Sequence, residues 1–93
     1  MGRNLHISHD LNVPGQNYEA VIEQIKSLGN WAKIHKSFWY VSSDYTARQA
    51  ADKVWAVMDA SDTVYVVDAT NNEAAWHNLS KEVYEFILDK WRK

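Results

Sequence analysis

Two hydrophobic periods alternate along this chain, and their order limits the fold more than any other feature. Leu5-His6-Ile7-Ser8-His9-Asp10-Leu11 repeats every two residues. Leu5, Ile7, His9 and Leu11 therefore share one face of a strand, and His6, Ser8 and Asp10 share the other. Past Pro14-Gly15 the period changes: Tyr18, Val21, Ile22, Ile25 and Leu28 recur three and four apart, the stripe of an amphipathic helix. Gly29 is expected to end that helix in the left-handed conformation. Trp31 to Ser42 is rich in aromatic and β-branched residues around a polar centre. It reads as two short strands meeting near Lys36, or as one long bent strand.

Thr46-Ala47-Arg48-Gln49 is a capping box, in which the hydroxyl takes the N3 amide and Gln49 reaches back to the cap. The helix it opens carries Ala47, Ala50, Ala51, Val54, Val57 and Met58 on one stripe. Thr63-Val64-Tyr65-Val66-Val67 is a nearly continuous apolar run, as expected of a buried strand. Asn71 or Asn72 is then placed to cap a last helix whose stripe is Trp76, Leu79, Val83, Phe86, Ile87 and Trp91. Residues 72–93 are thus expected to be a C-terminal helical extension.

This order predicts an α+β fold of ferredoxin-like split βαβ type (βαββαβ) with an additional C-terminal helix. The 93 residues have room for one core only, so residues 1–93 are read as a single domain. Cysteine is absent, which removes disulfides, thiolate metal sites and a Cys nucleophile. A formal charge of -2 argues against a protein that coats nucleic acid over its whole surface, so any such contact must be local. No apolar run approaches the roughly 20 residues of a membrane span, and a cytoplasmic location without membrane contact is expected. Five Trp and five Tyr exceed what so small a core encloses easily. Pairing of the helix-free sheet face with a second copy would account for the surplus.

Asp10 closes the first strand on the face opposite Leu5 and Ile7. A carboxylate there suits a hard cation, and two copies meeting through that face would bring two Asp10 groups toward one Mg²⁺. The same carboxylate also suits an Asx-type turn onto the following backbone. His6 shares the Asp10 face and can orient it or carry a proton. His9 points the other way and is expected half-buried under a helix and hydrogen-bonded. Lys33, His35, Lys36 and Ser37 lie among Trp31, Phe38, Trp39 and Tyr40, an interleaving of cations and rings that holds phosphates and stacks bases. Lysines also protect an outer strand from edge pairing. No P-loop, GxGxxG, HExxH or GxSxG is present.

Three segments resemble the CRISPR-associated Cas-two proteins and their VapD-like relatives, in particular a standalone SinR-like type. Ile7-Ser8-His9-Asp10-Leu11-Asn12 is similar to the family's first-strand Tyr-Asp-hydrophobic signature, with His9 in place of Tyr. Lys33-Ile34-His35-Lys36-Ser37-Phe38-Trp39 resembles the basic segment of the central hairpin, with Lys33 for Arg and His35 for Gln. Asp62-Thr63-Val64-Tyr65-Val66-Val67 resembles the Asp-Ser-hydrophobic strand after the second helix. The resemblance implies a homodimeric, Mg²⁺-dependent endonuclease acting on RNA or DNA in antiviral defence. It makes Asp10 the catalytic metal ligand and places Ser37 and Phe38 near it. His6, Ser8, Lys33, His35 and Lys36 complete the expected binding set. The family's C-terminal strand joins the partner's sheet, whereas Asn72 to Lys93 reads here as helix. The rival expectation is a non-catalytic dimer that sequesters a nucleotide-type ligand or a partner protein, as in phage counter-defence.

Overall fold

The computed structural model describes residues 2–12 and 18–91. In chain order the elements are β1 (Arg3–Asp10), α1 (Tyr18–Lys26), β2 (Gly29–His35), β3 (Phe38–Ser43), α2 (Ala47–Trp55), β4 (Thr63–Asp68), β5 (Glu73–His77) and α3 (Lys81–Lys90). The break expected at Pro14-Gly15 lies outside the described residues. The five strands form one antiparallel sheet in the order β2-β3-β1-β4-β5, so the fold is α+β. β1 sits at its centre because it is paired on both sides: Ile7 faces Trp39 of β3 and Val66 of β4.

The period-two reading of β1 holds in three dimensions. Leu5, Ile7 and His9 are buried on one face, while His6 and Ser8 are half-buried and Asp10 exposed on the other. Onto the first face α1 sets Val21, Ile22 and Ile25, and α2 sets Ala47, Ala50, Ala51 and Val54. These meet Leu5, Ile7, Trp39, Val41, Val64, Val66 and Ala75 in one core. The stripe on α2 is mostly alanine, and small side chains let its backbone lie close to β4 and β5. Its N-terminus is fixed as the sequence requires: Thr46 Oγ1 accepts from the Gln49 amide at 3.0 Å, and Gln49 Oε1 accepts from the Thr46 amide at 3.0 Å.

Two carboxylates are buried as structural anchors. Asp62, 1% exposed, accepts from the amides of Asn12 and Asp59 at 2.9 and 2.8 Å. Asp68, fully buried, accepts from Thr70 and Asn71 in the turn that follows β4 and from the Arg3 guanidinium at 3.2 Å.

The structure corrects the expected helix over residues 72–93. Glu73–His77 is a strand on the free edge of β4, and the helix starts only at Lys81. Its cap is Ser80, whose hydroxyl accepts from the Val83 amide. The sequence was ambiguous because Ala74 and Ala75 favour helix, while Ala75 inward and Trp76 outward also fit a strand. Pairing with β4 decides it. Asn72, with φ of 57°, turns the chain back into β5, and Asn78, with φ of 65°, turns it out again. Gly29 is also not the left-handed helix end expected of it. It is the first residue of β2, and a Cβ there would overlap the Ser42 carbonyl oxygen.

Among the described residues no helix is long and apolar enough to cross a membrane. α3 buries none of its residues, and it leaves Phe86 64% and Leu88 65% exposed. It lies on the sheet face opposite α1 and α2, over β4 and β5. There the Tyr84 ring stacks on Trp76 at 6.4 Å, and Trp76 stacks in turn on Tyr65 at 6.0 Å.

Candidate functional site

With α3 set beside β4 and β5, the β2–β3–β1 half of this face carries no helix among the described residues. Alternation puts Asn4, His6, Ser8 and Asp10 of β1 there, beside Phe38, Tyr40 and Ser42 of β3. The result is a strip of rings across three strands. His6 lies parallel to Phe38, with centroids 5.9 Å apart and planes at 7°. His35 stacks on Phe38 at 5.6 Å, and Tyr40 packs against His6 at 5.8 Å. The Tyr40 hydroxyl donates to Asn4 Oδ1 at 2.6 Å, which fixes both groups at the end of the strip.

His35 reaches the strip only because β2 is irregular. Lys33 pairs with Trp39, but the register shifts before His35, which pairs with Phe38. The bulge moves His35 onto the ring face and leaves Lys33 on the other side, with its ammonium 6.0 Å from the Trp39 ring. Lys33 is therefore not brought together with His6, Ser8, His35 and Phe38. Lys36 and Ser37 form the hairpin turn. The Ser37 carbonyl accepts from the His9 amide at 2.9 Å, tying the turn to the end of β1.

Charge is segregated along the sequence in a way that matches this geometry. Residues 24–43 hold three lysines (Lys26, Lys33 and Lys36) and none of the twelve Asp and Glu residues. The β2–β3 hairpin is thus a basic edge on a protein of net charge -2.

Asp10 lies at the far end of β1 on the same face. It is exposed, and among the described residues its side chain has no hydrogen bond or ion pair. It borders a groove of about 350 Å³ between the sheet and α3. Ser8, Thr63 and Tyr65 line its floor, and Leu79, Val83 and Ile87 form its wall. Among the described residues no three His, Asp or Glu side chains converge as a metal site. Among the described residues Asp10 is the one carboxylate lining this groove, so a hard cation there would complete its shell with water, a phosphate or a second copy.

His9 differs from its expectation. It is 4% exposed, and neither ring nitrogen has a hydrogen-bond partner among the described residues. Tyr18 packs edge-on to it at 6.5 Å. Burial lowers its pKa, while the charge of Asp10 and the backbone of Lys36 act in the opposite direction. The folded imidazole thus resists a proton that the unfolded one accepts. Stability is complete above the unfolded value and is expected to fall as pH drops through about 6.5. His9→Leu should flatten that fall, read from urea midpoints at about pH 7.5 and about pH 5.5. Equal pH responses in the two proteins would count against it.

The sequence alone assigned no site role to Asn4, Tyr65, Trp76 or Tyr84. Asn4 and Tyr65 were within reach, since each continues the outward parity of its strand. Trp76 was read on a helical stripe but lies on β5, and Tyr84 of α3 meets it only because that strand pairs with β4. Comparison of the chain with protein-family models, with curated proteins and with solved structures finds no match. The fold and site together define an α+β sheet protein with a half-open, aromatic sheet face.

Proposed function

We propose that this protein binds single-stranded nucleic acid on the β2–β3–β1 half of the sheet face opposite α1 and α2, without cleaving it. The strip His35–Phe38–His6–Tyr40, beside a hairpin free of acidic residues, carries this reading. Unpaired bases stack on such rings in any sequence, and Lys36 in the hairpin turn is placed to meet a phosphate. A duplex keeps its bases stacked on one another and has nothing to offer the rings. We further propose that the scaffold is of ferredoxin-like split βαβ type, with β5 and α3 added to it. The order β2-β3-β1-β4 and the placing of α1 and α2 on one face support that.

The test is fluorescence anisotropy of a labelled oligonucleotide in EDTA, single-stranded against duplex. The single strand should bind more tightly, and affinity should fall as salt rises. At roughly 1–3 kcal/mol per stacked base, His6→Ala combined with Phe38→Ala should weaken binding at least tenfold. Equal affinity for both forms, or no loss in the double variant, would remove the proposal.

A second reading, a homodimeric Mg²⁺-dependent endonuclease using Asp10, is favoured by one observation. Asp10 is an exposed carboxylate without a side-chain partner among the described residues, on the face through which a twofold-related copy could approach. The two readings compete for the same surface, because sheets paired face to face would cover the ring strip. A dimer in sedimentation, with Mg²⁺-stimulated cleavage lost in Asp10→Ala, would establish the second reading over the first. A monomer holding an intact strand would exclude it.

A further inference from the structure

We infer that the groove between α3 and the β1–β4 pair is a base-recognition pocket in which Asp10 selects guanine. The inference takes its ligand class from the single-strand reading, and it adds a site and a preference that the ring strip cannot supply, because stacking is tolerant of sequence.

The groove, at about 350 Å³, falls within the roughly 300–1,000 Å³ of pockets that hold small organic ligands. Its walls suit a flat, partly apolar molecule: the Tyr65 ring forms part of the floor, and Val83 and Ile87 face it from α3. Its position suits a strand that already occupies the strip. Ser8, on the groove floor, is the register partner of Phe38, so the groove opens one strand away from the central ring.

The polar demand comes from Asp10, which only accepts hydrogen bonds when ionised. Guanine presents two adjacent donors, N1–H and the N2 amino group, on one edge, and these match the two oxygens of a carboxylate as a bidentate pair. Adenine and cytosine place a ring acceptor beside their amino group, where it would meet the carboxylate as a repulsion. Uracil and thymine offer one N–H between two carbonyls.

The experiment titrates the full chain with GMP and with AMP in EDTA, following tryptophan and tyrosine fluorescence. GMP should bind roughly 5- to 100-fold more tightly than AMP, the discrimination typical of one bidentate pair. Asp10→Asn should erase that preference. Val83→Trp, which fills the groove from the exposed helix, should abolish GMP binding. Equal affinity for GMP and AMP in the native protein, or GMP binding unchanged by Val83→Trp, would overturn the pocket. Failure of the two proposals is separable. An oligonucleotide bound with no base preference removes only the pocket, and GMP selectivity without oligonucleotide binding removes only the strip.

Discussion

Replacing Asp68 by Ala is expected to destabilise the fold by about 3 kcal/mol at neutral pH, the scale for breaking a buried charged network. Asp68 is fully buried at the end of β4, and its two oxygens tie the following turn and Arg3 of β1 to that strand. Oδ1 accepts from the Thr70 and Asn71 amides at 3.0 and 3.1 Å, and Oδ2 accepts from the Asn71 side chain at 2.8 Å and from Arg3 at 3.2 Å. Burial alone would raise its pKa, but the bonds from Asn71, Arg3 and Thr70 outweigh it, and the pKa is lowered. A carboxylate held below its unfolded value stabilises the fold above that value, and the contribution is lost as pH falls through the folded one. The difference between native and Asp68→Ala midpoints in urea should therefore be full at neutral pH and shrink below about pH 4. Asp68→Asn should also be destabilised, because its amide would turn a donor toward donors. A loss under about 0.5 kcal/mol, the level of an ordinary surface change, would show that the turn holds without the carboxylate.

The same network shows which parts of the molecule were legible beforehand. Asp68 was readable as a turn residue because it ends an apolar run and precedes Ala69-Thr70-Asn71-Asn72. What it ties to, Arg3 at a separation of 65 residues, follows only from the pairing of β1 with β4. Local chemistry was legible wherever one element decides it, as in the Thr46 capping box and the alternation of β1. It was not legible where a neighbour decides. Glu73–His77 becomes a strand because β4 has a free edge.

The candidate site divides in the same way. Parity alone places His6, Ser8 and Asp10 on one face, and the structure keeps them there. Parity misplaces Lys33 with respect to His35, because a single extra residue at the β2 bulge exchanges faces for everything beyond it. The orphaned imidazole of His9 was likewise beyond reach, since hydrogen-bond satisfaction depends on what the rest of the chain brings to it. The groove beside Asp10 needs α3 folded back over β4, a placement that no periodicity encodes.

Gly29 carries the second large prediction, and it separates two reasons for the same residue. A glycine after a helix usually supplies a positive φ, and where that is its purpose Asn is a fair replacement. Here the requirement is space. Gly29 opens β2 opposite Ser43, and an added Cβ would overlap the Ser42 carbonyl oxygen and lie 3.0 Å from the Ser42 carbonyl carbon and 3.1 Å from Ser43 Cα. These are backbone atoms, so no rotamer change relieves the contact. The start of β2 would have to part from β3, straining the buried bond from Ser43 Oγ to the Leu28 carbonyl at 2.7 Å. Gly29→Ala and Gly29→Asn are therefore both expected to cost about 3 kcal/mol, at the upper end for overpacking. Amide exchange should become faster across Gly29–His35, since β2 is an edge strand with β3 as its one partner. Because β2 delivers His35 to the ring strip, single-strand affinity should fall along with stability. A Gly29→Asn protein as stable as the native one would show that backbone conformation, and not close approach, fixes this position.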